Sequence, residues 1–216
     1  MCYSAGLEAI AVSETPPHVW WPNPRAAFDV VAIAASAGGL RALTSVLSAL
    51  SRDFPAAVTV VQHLDPRHRS LMAELLSRQS RLPVKQAEDG DRLCPGSVFV
   101  APPDRHLLVN PDGTLSLSRA DLVHFLRPSA DLLFESVAAS FKDRAIAVVL
   151  TGTGADGSSG LQAIKKMGGT VVSQDEGTSE FFGMPSAAIQ TGQVDFVLPL
   201  EEIASALTKL VQGDAT

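Results

Sequence analysis

Ser36, His63 and Asp156 bring together a hydroxyl, an imidazole and a carboxylate, the three group types of an acyl-transfer triad. Each follows an apolar, β-branched run: FDVVAIAASAGGL contains Ser36, AAVTVVQHL contains His63, and AIAVVLTGTGADGSSGL contains Asp156. A nucleophile, a base that takes its proton and a carboxylate that orients the base can hydrolyse an ester through a covalent intermediate. For that chemistry the three must meet, and the elements around them predict that they do. In an open parallel α/β sheet, the carboxyl ends of the strands converge on one crevice, and these residues stand at three such ends.

Each residue also has a plainer role to weigh. Ser36 lies in Ala34-Ala35-Ser36-Ala37-Gly38-Gly39, a tight strand-to-helix turn close to a G-x-S-x-G elbow, with Ala34 in place of the first glycine. A Gly-rich turn after a first strand also binds phosphate in dinucleotide folds. Here the full G-x-G-x-x-G is absent, and the second strand ends in Gln62-His63 rather than an acid for a ribose. The chain order Ser, His, Asp differs from the Ser, Asp, His of α/β-hydrolases, so another fold carrying similar chemistry is expected. His63 stands apart from His18, His68, His106 and His124 because its strand end is on the predicted catalytic edge. Asp156, before Gly-Ser-Ser-Gly-Leu, would serve equally well as a helix cap. His63, Asp65 and His68 could be imagined around a metal, but no further cluster completes a site, and neither metal nor cofactor is expected.

The positioning elements alternate from Phe28 onward. DVVAIAA and AAVTVVQ predict strands, GLRALTSVLSAL and SLMAELLSRQ helices. SVFVAPP, HLLV and TLSLS, in residues 97–118, predict a small antiparallel addition with NPDG as the turn between the last two. RPSADLLFESVAASF, LQAIKKM, PSAAIQTG and EEIASALTKLV predict further helices, and AIAVVL, TVVS and FVLPL strands. The fold class is therefore α/β, a doubly wound, mostly parallel sheet with helices on both faces and a small antiparallel hairpin. Residues 1–26, with PPHVWWPNP, show no sustained period and predict an irregular extension before a domain spanning 27–212.

At 216 residues and 46% hydrophobic, the chain is long and apolar enough for one sizeable core. A net charge of −6 with no basic stripe argues against nucleic acid as partner. No apolar run reaches the roughly 18 residues of a membrane span, and the first basic residue is Arg25, so no secretory signal or membrane insertion is expected. Cys2 and Cys94 show no ligand spacing, which fits a reducing, cytoplasmic setting.

Six ordered blocks extend these observations: AIAASAGG, VVQHLDP, PGSVFVAPPDRHLLV, RPSADLLFESVA, VVLTGTGADGSSGL and SQDEGTSEFFGMPSAAI. Over residues 28–212 the sequence resembles the catalytic domain of the chemotaxis receptor methylesterases, the CheB-type protein-glutamate methylesterases. The resemblance implies hydrolysis of methyl esters on receptor glutamates, with release of methanol, and often deamidation of receptor glutamines. It assigns Ser36 as nucleophile, His63 as base and Asp156 as its orienter, with methyl-accepting chemoreceptors as partners. The family usually reads Ser-Thr-Gly-Gly where Ala37 stands here, and Thr-Gly-Met-Gly where Thr153 stands. Backbone N–H groups at Ala37 and Thr153 are the candidates for holding an oxyanion.

Many relatives carry a receiver domain, which needs on the order of 100 residues. The 26 preceding the domain are too few, so the expectation is a free-standing or excised catalytic unit, with any receiver supplied as a separate protein. Arg67, Arg69, Arg105 and Arg127 are candidates for contacting acidic receptor surface, and the 173–186 loop with Met184 and Pro185 for rimming the site. A small-molecule carboxylesterase and a non-catalytic binding domain are the alternatives.

Overall fold

The computed structural model of the chain describes residues 26–63 and 70–213. The extension through Arg25, with Trp20 and Trp21, and the candidates Asp65, Arg67, His68 and Arg69 lie outside the described residues. In chain order the elements are β1 (Val30–Ala35), α1 (Gly39–Ala49), β2 (Ala57–Gln62), α2 (Met72–Ser77), β3 (Val84–Gln86) and β4 (Val98–Val100). They continue with β5 (His106–Val109), β6 (Leu115–Ser118), α3 (Ala130–Phe141), β7 (Ala145–Val149) and α4 (Ser158–Lys166). The last are β8 (Thr170–Gln174), α5 (Gly183–Gln190), β9 (Phe196–Leu198) and α6 (Leu200–Gln212).

Seven strands form one sheet in the order β3-β4-β2-β1-β7-β8-β9, every pairing parallel. β1, β2 and β7 are buried along their whole length, which explains why they read as continuous apolar runs. The pleat divides β1 between two cores. Val31, Ile33 and Ala35 pack with side chains of α1, α2 and α6, while Val30, Ala32 and Ala34 pack with those of α3, α4 and α5. The predicted doubly wound architecture is thus present, and β5 and β6 form the separate antiparallel pair.

One expectation needs correcting. SVFV was expected in the antiparallel addition, yet Val98–Val100 is a strand of the main sheet, parallel to β2 and β3. Its three residues are all buried, the pattern of a strand covered on both faces, whereas the hairpin strands keep partly exposed positions. β3 has no sequence signal of its own, being three residues long with Lys85 and Gln86 exposed at the sheet edge.

After β1 the chain winds toward β2 and β4, and from β7 onward it winds the other way. The carboxyl ends of β1 and β7 therefore flank the topological switch point, where crevices open in sheets of this kind. Among the described residues no helix is long and apolar enough to cross a membrane.

Candidate active site

The ladder between β1 and β2 ends with Ala35 opposite Gln62, so Ser36 and His63 are the next residues at neighbouring strand ends. The His63 backbone N–H donates to Ala35 O at 3.2 Å, extending the ladder by one step. By the alternation of the pleat, both residues continue the side of the sheet that α3 and α4 cover. Asp156 arrives on that side from the loop after β7. Its Oδ2 lies 2.8 Å from His63 Nε2, with the His63 side chain 11% and that of Asp156 1% exposed. An ionised Asp156 fixes the tautomer with the proton on Nε2, which leaves the Nδ1 lone pair to accept a proton. The Ser36 hydroxyl makes no hydrogen bond among the described residues. Free enzymes commonly form that contact only with substrate in place.

Asp156 is held by far more than the imidazole. Ser129 Oγ donates to Oδ1 at 2.8 Å, the Ala130 N–H to Oδ2 at 2.6 Å and the Asp131 N–H to Oδ1 at 3.3 Å. The carboxylate thus sits at the amino terminus of α3, where unpaired N–H groups and the helix dipole favour an anion. Burial opposes ionisation, but the bonds from His63, Ala130 and Ser129 outweigh it and hold the carboxyl below its ordinary range. The plainer role weighed for Asp156, capping its own helix, is not the one found. Gly157 occupies the position before α4, and the side chain reaches across to α3 instead.

The Ser36 turn is gripped from both sides. Gln62 Nε2 donates to Ser36 O at 2.7 Å and to His63 O at 3.1 Å, tying the two strand ends together. On the other side the Ser36 N–H donates to Thr151 O at 3.0 Å, and the Thr151 hydroxyl bonds Ala37 O at 3.1 Å. The Thr151 N–H in turn donates to buried Gln174 Oε1. Glycine is required at two places by close approach. A Cβ on Gly39 would fall 1.9 Å from Gln62 Oε1, and one on Gly152 would fall 2.8 Å from Ser36 Cβ. Gly38 makes the turn itself, at φ +75°.

Other sequence candidates fall variously. The N–H groups of Ala37 and Thr153 are both uncommitted among the described residues, and Thr153 is exposed. Arg127 is committed internally: Nε and Nη2 donate to Asp104 Oδ1 at 2.9 and 2.6 Å, and Nη1 to the carbonyls of Arg119 and Ala120. Arg105 has one buried nitrogen, Nη1, with no hydrogen-bond partner. Met184 is buried beneath Gly152 rather than exposed on a rim, and Pro185 is buried beside it in the first turn of α5.

Sequence reasoning missed Ser129, Gln62, Thr151, Gln174 and the supporting role of His106. Fully buried His106 accepts the Ser129 N–H at Nδ1 and contacts Asp121 O through Nε2, bracing the start of α3. A polar residue inside an apolar run, as in TVVQH, was the one available signal.

A sequence profile of the CheB methylesterases matches residues 31–207. A protein-glutamate methylesterase/protein-glutamine glutaminase of Anaeromyxobacter dehalogenans is 46% identical over 88% of this chain and 56% of its own length. The protein-glutamate methylesterase FrzG of Myxococcus xanthus is 41% identical over 88% of this chain and 57% of its own. The chain thus spans little more than half the length of these two curated relatives. The crystal structure of the Thermotoga maritima CheB methylesterase catalytic domain superposes with a TM-score of 0.82 at 39% identity, covering 85% of this chain and 99% of that one. Sheet order, the strand-end placement of Ser36, His63 and Asp156, and these matches lead to one assignment: the chain belongs to the CheB methylesterase family.

Proposed function

We propose that the chain is a serine hydrolase that demethylates glutamyl methyl esters on the cytoplasmic helices of chemoreceptors, and that residues 27–212 are its catalytic domain. The observation that carries this reading is the His63 Nε2–Asp156 Oδ2 bond, placed at the strand end beside Ser36. His63 Nδ1 takes the Ser36 proton as Oγ attacks the ester carbonyl. The N–H groups of Ala37 and Thr153 receive the developing oxyanion, where one such donor contributes roughly 3 kcal/mol. The tetrahedral intermediate collapses, His63 returns the proton to the departing methoxide, and methanol leaves. Water, deprotonated by His63, then attacks the acyl-enzyme and frees the glutamate carboxylate and Ser36. Receptor glutamine follows the same route with ammonia as the leaving group, in keeping with the second activity in the name of the Anaeromyxobacter relative.

The test is methanol release from a methylated receptor cytoplasmic fragment, wild type beside Ser36→Ala. The variant should lose roughly four to six orders of magnitude in rate. Loss below tenfold would remove Ser36 from the nucleophile's role. A folded wild type that hydrolyses p-nitrophenyl acetate but releases no methanol would make the protein a different esterase.

A further inference from the structure

The segment before α3 makes a tight hairpin beside the candidate site. Val123 and Leu126 exchange backbone hydrogen bonds at 3.1 and 2.8 Å around His124 and Phe125, both at positive φ, +48° and +66°. Two central residues at positive φ define a type I′ turn, a position ordinarily filled by Asn-Gly. Phenylalanine there is a backbone outlier that glycine would relieve. Nor does its ring serve the core: Phe125 is 93% exposed, the most exposed large apolar side chain among the described residues.

The base of the hairpin is firmly held. Arg127 clamps Asp104 and the carbonyls of Arg119 and Ala120, and His106 reaches Asp121 O. The tip is therefore a braced prong and not a loose loop. It stands over a cleft of ≈280 Å³ whose wall includes His63, Leu122, Phe125, Leu126 and Pro128, with Leu122 also half exposed. A strained turn, an unburied aromatic ring and a braced stem converge on the pocket of the proposed base.

We propose that Phe125 is a specificity-determining contact. It seats an apolar side chain on the substrate helix, one turn from the glutamyl ester presented to Ser36. A helix is the polypeptide form that places a glutamyl group and an apolar residue three or four positions apart on one face. Phe125, Leu122, Leu126 and Pro128 give the cleft an apolar wall, while Arg127 and Asp104, which also line it, are paired with each other and leave it no net charge from that pair. The inference rests on the receptor-methylesterase reading above and names what that site grips.

The experiment compares wild type, Phe125→Leu and Phe125→Gly on two substrates, a methylated receptor cytoplasmic fragment and p-nitrophenyl acetate, with thermal unfolding alongside. Phe125→Gly should raise KM for the receptor fragment about tenfold or more, the loss of one well-buried apolar contact, with kcat moving much less. Its ratio of kcat/KM between receptor and p-nitrophenyl acetate should fall by a similar factor. Relief of the turn should raise Tm by roughly 2–4 °C, and Phe125→Leu should restore most of the receptor KM. A Phe125→Gly enzyme with unaltered receptor KM, or with equal losses on both substrates, would overturn the inference while leaving the methylesterase intact. A wild type active on p-nitrophenyl acetate alone would overturn the methylesterase reading, and this contact with it.

Discussion

The starts of α3 and α4 hold two buried aspartates in reciprocal positions. Asp156, from the loop before α4, accepts the N–H groups that open α3. Asp131, in the first turn of α3, accepts the Gly160 N–H of α4 at 2.8 Å. Both carboxyls are almost wholly buried. Their affinities for protons nonetheless move in opposite directions. Burial raises Asp131, and the N–H bonds from Gly160 and Gly157 do not offset it, with the charge of Asp156 adding to the rise. Asp156 feels the same burial but also has the imidazole and the Ser129 hydroxyl, and it falls. Burial therefore sets the stakes for a carboxylate, and the count and charge of its donors decide the sign. Of the two, only Asp156 has donors enough to lower its proton affinity, and it is the one in contact with His63.

The comparison can be broken in three ways. Asp156→Asn should cost the most, about 10⁴-fold in kcat, because an amide opposite Nε2 favours the wrong tautomer. Methanol release would measure it, and a loss below tenfold would strip Asp156 of its orienting role. Gly160→Ala should come next, at about 1–3 kcal/mol in urea unfolding. Its Cβ would fall 2.8 Å from Asp131 O and from Phe134 Cβ, forcing α3 and α4 apart.

Asp131→Asn should be mildest, leaving kcat/KM within about threefold and stability at pH 7 within about 1 kcal/mol. Urea titrations against pH sharpen the contrast. The folded pKa of Asp156 is lowered, so its contribution is present above the unfolded value near 4 and is lost as pH falls through the folded value. That of Asp131 is raised, so ionisation costs stability as pH climbs from about 4 through the folded value. Relative to wild type, Asp156→Asn should worsen with rising pH and Asp131→Asn improve. Slopes of the same sign would refute the opposition.

Strand ends were the legible part of this molecule. β1, β2 and β7 are buried on both faces, so apolar runs marked them, and Ser36, His63 and Asp156 followed as the first polar groups of interest. What surrounds those groups was illegible for a single reason: the partners are remote in sequence. Ser129 looks like an ordinary helix cap, and only the packing of α3 against α4 turns its hydroxyl toward Asp156. Gln62 and Gln174 are amides at strand termini that reach the loops following other strands, at Ser36 and Thr151. SVFV was misplaced because a three-residue run carries no sheet address, and the two short runs that follow it formed the hairpin. The turn at His124-Phe125 escaped notice, since no turn chemistry predicts a type I′ turn from those residues.

The placement of β7 between β1 and β8 also orders events in time. Ser36 and His63 are joined by a local β-α-β step, whereas His63 and Asp156 are 93 residues apart. Contacts of such separation form late, because loop closure must be met before they reward it. On refolding, Ser36 and His63 should therefore come together before Asp156 reaches them, once the centre of the sheet is complete. Esterase activity should then return only with the last phase of refolding, later than the recovery of β1–β2 pairing.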